Sequence, residues 1–271
     1  MPRGRTLPSV ILDLFRLDGK VAVISAGGRG IGARIATAFA EVGADVAIGA
    51  RSADQLDEVK AQVEVLGRRA VAVPGDLRTR EGMAQLVDAA VAELGRIDIV
   101  VNNAGGTMPQ SFMDTSEDAF EESLHWNVTT AFNLTQLAVP HLVEAGGGSV
   151  INITSVAGSF SSRGFAAYGT AKGALIKLTR HLANDLSPKI RVNSISPGSI
   201  ATSALEMVLK MPEIEKAMVD ATPLGRLGTV DDIAAAAVYL ASDAGSYITG
   251  RDIRVDGGIE ASNLEMPIPD L

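Results

Sequence analysis

The chain has no cysteine. Disulfides, thiolate metal sites and cysteine nucleophiles are thereby excluded. It has only three histidines, His125, His141 and His181, and no two stand at metal-ligand spacing. Each reads as a helix-surface residue, so no metal is expected and zinc-dependent alcohol chemistry is disfavoured. Aromatic residues make up 4% of the chain against 46% hydrophobic residues in all. That small-aliphatic mixture suits parallel strands buried under helices. No run reaches the ~18 apolar residues needed to span a bilayer. The apolar run in MPRGRTLPSVILDLF is broken by Asp13 and has no small-residue cleavage site. The expectation is a soluble cytoplasmic protein with no membrane partner, in which residues 1–17 form a short N-terminal arm. Positive charge is in deficit: 24 lysines and arginines face 32 aspartates and glutamates, a net charge of −8. Such a chain has no electrostatic footprint for nucleic acid, and an anionic ligand must be caught by a local arrangement.

What is present is a regular alternation. Short apolar runs recur as VAVIS (21–25), DVAIGA (45–50), AVAVP (70–74), IDIVVN (97–102), SVINITS (149–155), IRVNSIS (190–196) and RDIRV (251–255). Between them lie stretches of helical spacing, among them a long one over about 116–144 and another over about 165–186. Strand–helix–strand repetition with continuously apolar strands predicts an α/β fold. We read a single Rossmann-type doubly wound parallel sheet of about seven strands, with helices on both faces. No linker divides residues 18–271, which are read as one domain with an irregular insertion at about 198–228.

Each of the first six strands is followed by small, polar or glycine residues: SAGGRG, ARSA, GDLR, NNAGG, TSVAG and SPGS. In an open parallel sheet the ligand crevice lies outside the carboxyl ends of the strands, so these segments converge on one rim. The first, Ser25 to Gly32, sits between strand and helix, the context of a dinucleotide fingerprint. Its glycines let backbone approach a pyrophosphate, and the helix N-terminus favours the charge. A site that reads NAD usually carries an acid about 20 residues beyond the glycines. Counting from Gly30 leads to Ala50, then Arg51, with no acid between Val46 and Ser52. Arg51 and Arg29 could cradle a 2′-phosphate through charge-assisted forks. The expected cofactor is NADP(H), with NAD(H) as the alternative.

With AAYGTAKGAL (166–175) added, the chain resembles the short-chain dehydrogenase/reductase family in its short single-domain branch, from about Asp18 to Gly258. The family's Thr-Gly-x-x-x-Gly-x-Gly appears as Ser25-Ala26-Gly27-Gly28-Arg29-Gly30-Ile31-Gly32, with Ser for Thr and Ala for the first Gly. Asp76-Leu77 looks like the pair that meets the adenine, and Asn102-Asn103-Ala104-Gly105 is the NNAG segment. Asn127 in WNVTTAF, Ser155 in INITS, and Tyr168 with Lys172 as Y-x-x-x-K match the catalytic set. Pro197, Gly198, Ile200 and Thr202 match the loop beside the nicotinamide, and YITGRDIRVDGG matches the last strand.

The resemblance implies a dinucleotide-binding oxidoreductase acting on CH–OH groups. Tyr168 would be its general acid–base, Ser155 would hold the substrate oxygen, and Asn127 would anchor a water in the proton relay. Lys172 would bond the nicotinamide ribose. An unperturbed phenol has a pKa near ~10. An ammonium ~5 Å away at an effective dielectric of ~20 contributes ~3 kcal/mol, roughly two pK units. Lys172 is therefore expected to lower the Tyr168 pKa. The resemblance also implies a homotetramer, with the last strand and the long helices at interfaces, and a substrate lid over 198–228. Leu205, Met207, Val208, Met211, Ile214 and Met218 suit an adaptable apolar wall. Phe160, Phe165 and Thr107-Met108-Pro109 could complete the pocket. The stretch 196–228 looks most like bacterial 7α-hydroxysteroid dehydrogenases, so a hydrophobic alcohol or ketone is the expected substrate. The alternatives are a 3-oxoacyl-(acyl carrier protein) reductase and, in another class, a non-catalytic NADP-sensing regulatory protein.

Overall fold

A computed structural model describes residues 10–202, 211–264, 266 and 268. Strands β1 (Val21–Ser25), β2 (Asp45–Ala50), β3 (Ala70–Pro74), β4 (Ile99–Asn102), β5 (Gly148–Ile153), β6 (Ile190–Pro197) and β7 (Asp252–Val255) form one sheet. Its order is β3-β2-β1-β4-β5-β6-β7, and every pairing is parallel. Among the described residues the helices are α1 (Gly30–Glu41), α2 (Ala53–Val65), α3 (Arg80–Leu94), α4 (Glu117–Leu124), α5 (Thr130–Glu144), α6 (Ala166–Leu186), α7 (Pro212–Asp220) and α8 (Val230–Ala241). The sheet and its two-sided cover agree with the expected doubly wound fold.

Successive strand side chains point to opposite faces, and this splits the core in two. Ile24, Ile48, Val101, Ile151 and Ile195 pack with Ile35 and Phe39 of α1, Leu56 of α2 and Ile233 of α8. Val23, Ala47, Val100, Val150 and Val192 pack on the other face with Leu86 of α3, Leu134 of α5 and Ala183 of α6. Part of the N-terminal segment joins the first layer: the 3-10 turn Ile11–Phe15 brings Phe15 to 6.2 Å from Tyr239, and Leu17 is buried.

The long helix expected over 116–144 is interrupted. A π-helical turn, His125–Thr129, separates α4 from α5. Both flanks keep helical spacing, so the extra residue leaves no mark in the sequence pattern. Single π turns are frequent at functional sites, and Asn127 lies in this one.

The amino ends of the strands are closed by matched charge. Buried Asp98 accepts from Arg96 Nε at 2.8 Å, Lys20 Nζ at 3.1 Å and the Val21 amide at 3.1 Å. Asp45 accepts from the Arg69 amide at 3.0 Å and Arg69 Nε at 2.8 Å, and pairs with Arg68 at 2.6 Å. Burial works against the Asp45 carboxylate, but the Arg69 bonds and the two arginine charges hold its pKa below the usual range. Among the described residues no helix is long and apolar enough to cross a membrane.

Candidate active site

The turn after β1 is built for close approach. A Cβ on Gly32 would lie 2.4 Å from the Ala26 carbonyl and 2.5 Å from Asn103 Nδ2. Only glycine fits there, and Asn103 Nδ2 donates to the Ala26 oxygen at 3.0 Å. Ala26 itself holds φ +52°, a left-handed conformation costly for a residue with a Cβ. Ser25 is buried, and its hydroxyl accepts from the Asn103 and Ala104 amides, each at 3.0 Å. This hydroxyl therefore ties the β1 turn to the β4 turn, joining two halves of the rim.

Helix α1 starts without a side-chain cap at Arg29. By contrast α2, α3, α4 and α8 have Ser52, Thr79, Ser116 and Thr229 accepting from their first-turn amides. The opening amides of α1, at Gly30, Ile31 and Gly32, are left for an anion. Gly28 abuts the end of β2: a Cβ there would be 3.4 Å from Ala50 Cβ, which places Arg51 beside the turn. Arg29 and Arg51 are both exposed. Uncapped amides and two guanidinium groups form a donor set that fits the phosphates of a dinucleotide.

Other expected residues are placed unevenly. Asp76 is exposed, and its carboxylate accepts from the Arg78 amide at 3.0 Å. Leu77 is 3% exposed, with its side chain in the core, so only its backbone can meet a ligand. Ile200 is buried too, in a bridge to Gly228. Pro197 ends β6, and Gly198 lies so close to Asp256 that a Cβ would clash at 2.8 Å. Thr202 is half-buried, with its methyl 3.9 Å from where a Cβ on Gly30 would be, so this loop meets the glycine turn.

The catalytic set converges. Ser155 follows β5, caps the 3-10 turn Val156–Gly158 and lies near enough to the Tyr168 phenol to favour its charged form. Tyr168 and Lys172 share one face of α6, with Lys172 Nζ 5.7 Å from the Tyr168 ring centre. The ammonium is buried and donates to the Ile153 carbonyl at 2.9 Å. Asn127 Oδ1 accepts from the Gly106 amide at 2.9 Å, and its Nδ2 donates to Ser123 O at 2.9 Å. A Cβ on Gly105 would be 2.6 Å from Asn127 Oδ1 and 2.8 Å from Lys172 Nζ. Glycine at 105, at φ +157°, thus leaves room for the asparagine and the lysine to meet.

The electrostatics correct one expectation. Lys172 does not lower the Tyr168 pKa in the protein alone. Burial pushes the phenol up, and Ser155 beside it only partly opposes this. Burial also lowers Lys172 to about 7. Desolvation removes much of the charge on which the expectation relied.

The expected apolar wall is partly described. Met218 is buried in the fold and Met211 is exposed, while Leu205, Met207 and Val208 lie outside the described residues. Phe160 and Phe165 line a cleft of about 840 Å³, together with Phe112 and Met113, which the sequence reading missed. Thr107 and Met108 are exposed and outside it. Phe165 connects cleft and chemistry, its ring centre 6.0 Å from that of Tyr168.

The sequence profile of a family described as enoyl-(acyl carrier protein) reductase matches residues 25–260. An uncharacterised oxidoreductase of Mycobacterium tuberculosis is 56% identical over 97% of this chain and 100% of its own. The 7α-hydroxysteroid dehydrogenase of Escherichia coli is 41% identical over 91% of this chain and 96% of its own. A solved 7α-hydroxysteroid dehydrogenase, complexed with NADH and 7-oxo glycochenodeoxycholic acid, superposes with a TM-score of 0.89 at 41% identity. That match covers 92% of this chain and 97% of the other. An NADPH-dependent 3-quinuclidinone reductase of Rhodotorula rubra gives a TM-score of 0.87 at 33% identity, over 95% and 98% of the two chains.

Proposed function

Because this chain belongs to the short-chain dehydrogenase/reductase family and is a nicotinamide-dependent oxidoreductase of alcohols and ketones, we propose that it interconverts a secondary alcohol and a ketone on a hydrophobic, hydroxysteroid-like substrate with NADP(H). The observation that carries this reading is the convergence of Ser155 with Tyr168 and the buried Lys172, whose ammonium is 5.7 Å from the Tyr168 ring and donates to the Ile153 carbonyl.

The fit of the rim supports NADP. The amides and glycines of Ser25–Gly32 would hold the pyrophosphate, and Arg29 and Arg51 would hold the 2′-phosphate. The backbone at Asp76-Leu77 would meet the adenine. Asn103, Ala104, Gly105 and Lys172 would hold the nicotinamide ribose, together with Pro197, Gly198, Ile200 and Thr202. Bound there, the cofactor supplies or accepts the hydride.

In ketone reduction Ser155 Oγ holds the substrate oxygen, and the Tyr168 hydroxyl gives that oxygen its proton. Burial keeps the phenol protonated until the oxygen develops charge. Lys172, with a pKa of about 7, can gain or lose a proton at neutral pH. It therefore returns a proton towards Tyr168, through a water that Asn127 anchors. Oxidation runs the same transfers backwards.

A homotetramer remains part of the reading. Exposed apolar residues support it, at Phe132 and Val143 on α5 and at Tyr247 just before β7; light scattering tests it.

The deciding experiment follows nicotinamide absorbance for a panel of ketones and secondary alcohols with each cofactor. Dissociation constants of both cofactors are measured for the parent and Arg51→Ala at one salt concentration. Loss of one charge-assisted contact, about 1.5–3 kcal/mol, weakens NADPH about 10- to 100-fold and leaves NADH nearly unchanged. If Arg51→Ala weakens both equally, the NADP assignment fails. If no ketone or alcohol turns over, the substrate class fails.

A further inference from the structure

Helices α4 and α5 are anchored unequally. Helix α5 sets Leu134, Ala138 and Leu142 in the core, whereas Ser123 is the only buried residue described in α4. Apolar packing therefore fixes the rotation of α5 but hardly that of α4. The π turn between them holds one residue more than an α turn. Were it to relax into regular helix, α4 would rotate about 100° relative to α5, the step of one residue at 3.6 per turn. Asn127 lies at this junction, and its Nδ2 donates to the Ser123 carbonyl of α4. Its bond from the Gly106 amide, and its place beside Gly105 and Lys172, thus depend on what keeps the turn formed.

Arg78 grips the turn from outside both helices. Its Nε donates to Glu122 Oε1 at 2.8 Å, in the last turn of α4. Its guanidinium lies 4.5 Å from the centre of the Trp126 ring. Its carbonyl accepts from His125 Nε2 at 2.8 Å. Residues 122, 125 and 126 stand at i, i+3 and i+4, so one arginine spans the face where α4 passes into the π turn. Arg78 is itself fixed at the start of α3. Its amide donates to Asp76 Oδ1 at 3.0 Å, and Thr79 caps the helix. The ion pair with Glu122 is exposed and weak alone. The planar guanidinium adds the aromatic stack, which an ammonium matches poorly.

We propose that Arg78 is a positioning residue for the proton relay: it keeps the π turn formed and so holds Asn127 beside Lys172. This deepens the alcohol–ketone reading and rests on it for the reaction, though not for the geometry.

Two measurements test it. The first is a double-mutant cycle on kcat, with the ketone of the panel that turns over fastest. Arg78→Ala is expected to lower kcat about 10- to 100-fold, the scale of a misplaced group. KM for the ketone and the cofactor dissociation constant should change less than about twofold. Arg78→Lys keeps the charge without the stack and should recover part of the loss. In an Asn127→Ala background Arg78→Ala should cost nothing further, because both changes disable one relay. Losses that multiply, or weakened cofactor binding in place of a slower kcat, overturn the proposal. The second, amide hydrogen exchange on the parent and Arg78→Ala, needs neither turnover nor the Asn127 variant. It therefore separates failure of the clamp from failure of the oxidoreductase reading. Arg78→Ala is expected to speed exchange at 123–130 and to leave 134–142 unchanged. Unchanged exchange at 123–130, or equal acceleration in both segments, overturns the clamp.

Discussion

The two ends of the sheet treat charge in opposite ways. At the amino ends, Asp98 and Asp45 are buried, but each is matched by two cations of the chain itself. At the carboxyl ends, Lys172 is buried against a carbonyl with no ion-pair partner among the described residues, and α1 begins uncapped. Charges matched within the chain stabilise the fold. A desolvated charge left unmatched weakens the fold and favours a ligand that completes it. Substitutions at the two ends should accordingly separate activity from stability.

The largest expected effect is at the rim. Tyr168→Phe removes the proton donor and should lower turnover about 10²- to 10⁴-fold. Cofactor affinity should change less than twofold, and thermal stability should be kept. Near-normal turnover would remove the acid–base role. An unchanged biological output without turnover would instead favour the cofactor-sensing alternative.

Asp98→Ala should show the opposite pattern. It strips partners from Lys20 and Arg96 and leaves the Val21 amide buried and unpaired. Both cations are about half exposed and can rehydrate, so the cost is set mainly by the amide and the lost charged bonds. A loss of about 3 kcal/mol in denaturant unfolding is expected, with kcat per folded molecule unchanged. A kcat loss without destabilisation would break the comparison.

The subtlest test is Lys172→Met without cofactor. Lys172 falls from 10.5 to about 7 on folding. Between those values the unfolded chain binds more protons, so the lysine makes stability rise as pH rises from about 7 to 10.5. Below about 7 the penalty is fully present. Lys172→Met should flatten that slope and raise stability at pH 7 relative to the parent, by about 1–2 kcal/mol once the lost bond to Ile153 O is offset. It should also abolish turnover. An unchanged slope in chemical unfolding from pH 7 to 10 would show that Lys172 is not desolvated.

The sequence carried much of this arrangement. The seven strands are continuous apolar runs that a two-sided cover demands, and the glycine turn and Y-x-x-x-K are local patterns. What stayed hidden depends on three-dimensional surroundings. The π turn at His125–Thr129 keeps helical composition on both sides. Leu77 reads as a ligand contact until its side chain is found in the core. The pKa of Tyr168 was misjudged because Coulomb attraction can be counted from spacing, whereas burial cannot.

The strand order has a consequence for how the chain is made. β1 lies between β2 and β4, with Ala22 paired to Val46 on one side and Ile99 on the other. During synthesis β2 emerges soon after β1, but β4 follows only after β3 and α3. Throughout that interval the apolar strand VAVIS presents an open edge of unpaired amides and carbonyls, a template for another chain. The β1–β4 join is thus a step before which a nascent molecule is open to pairing with another chain.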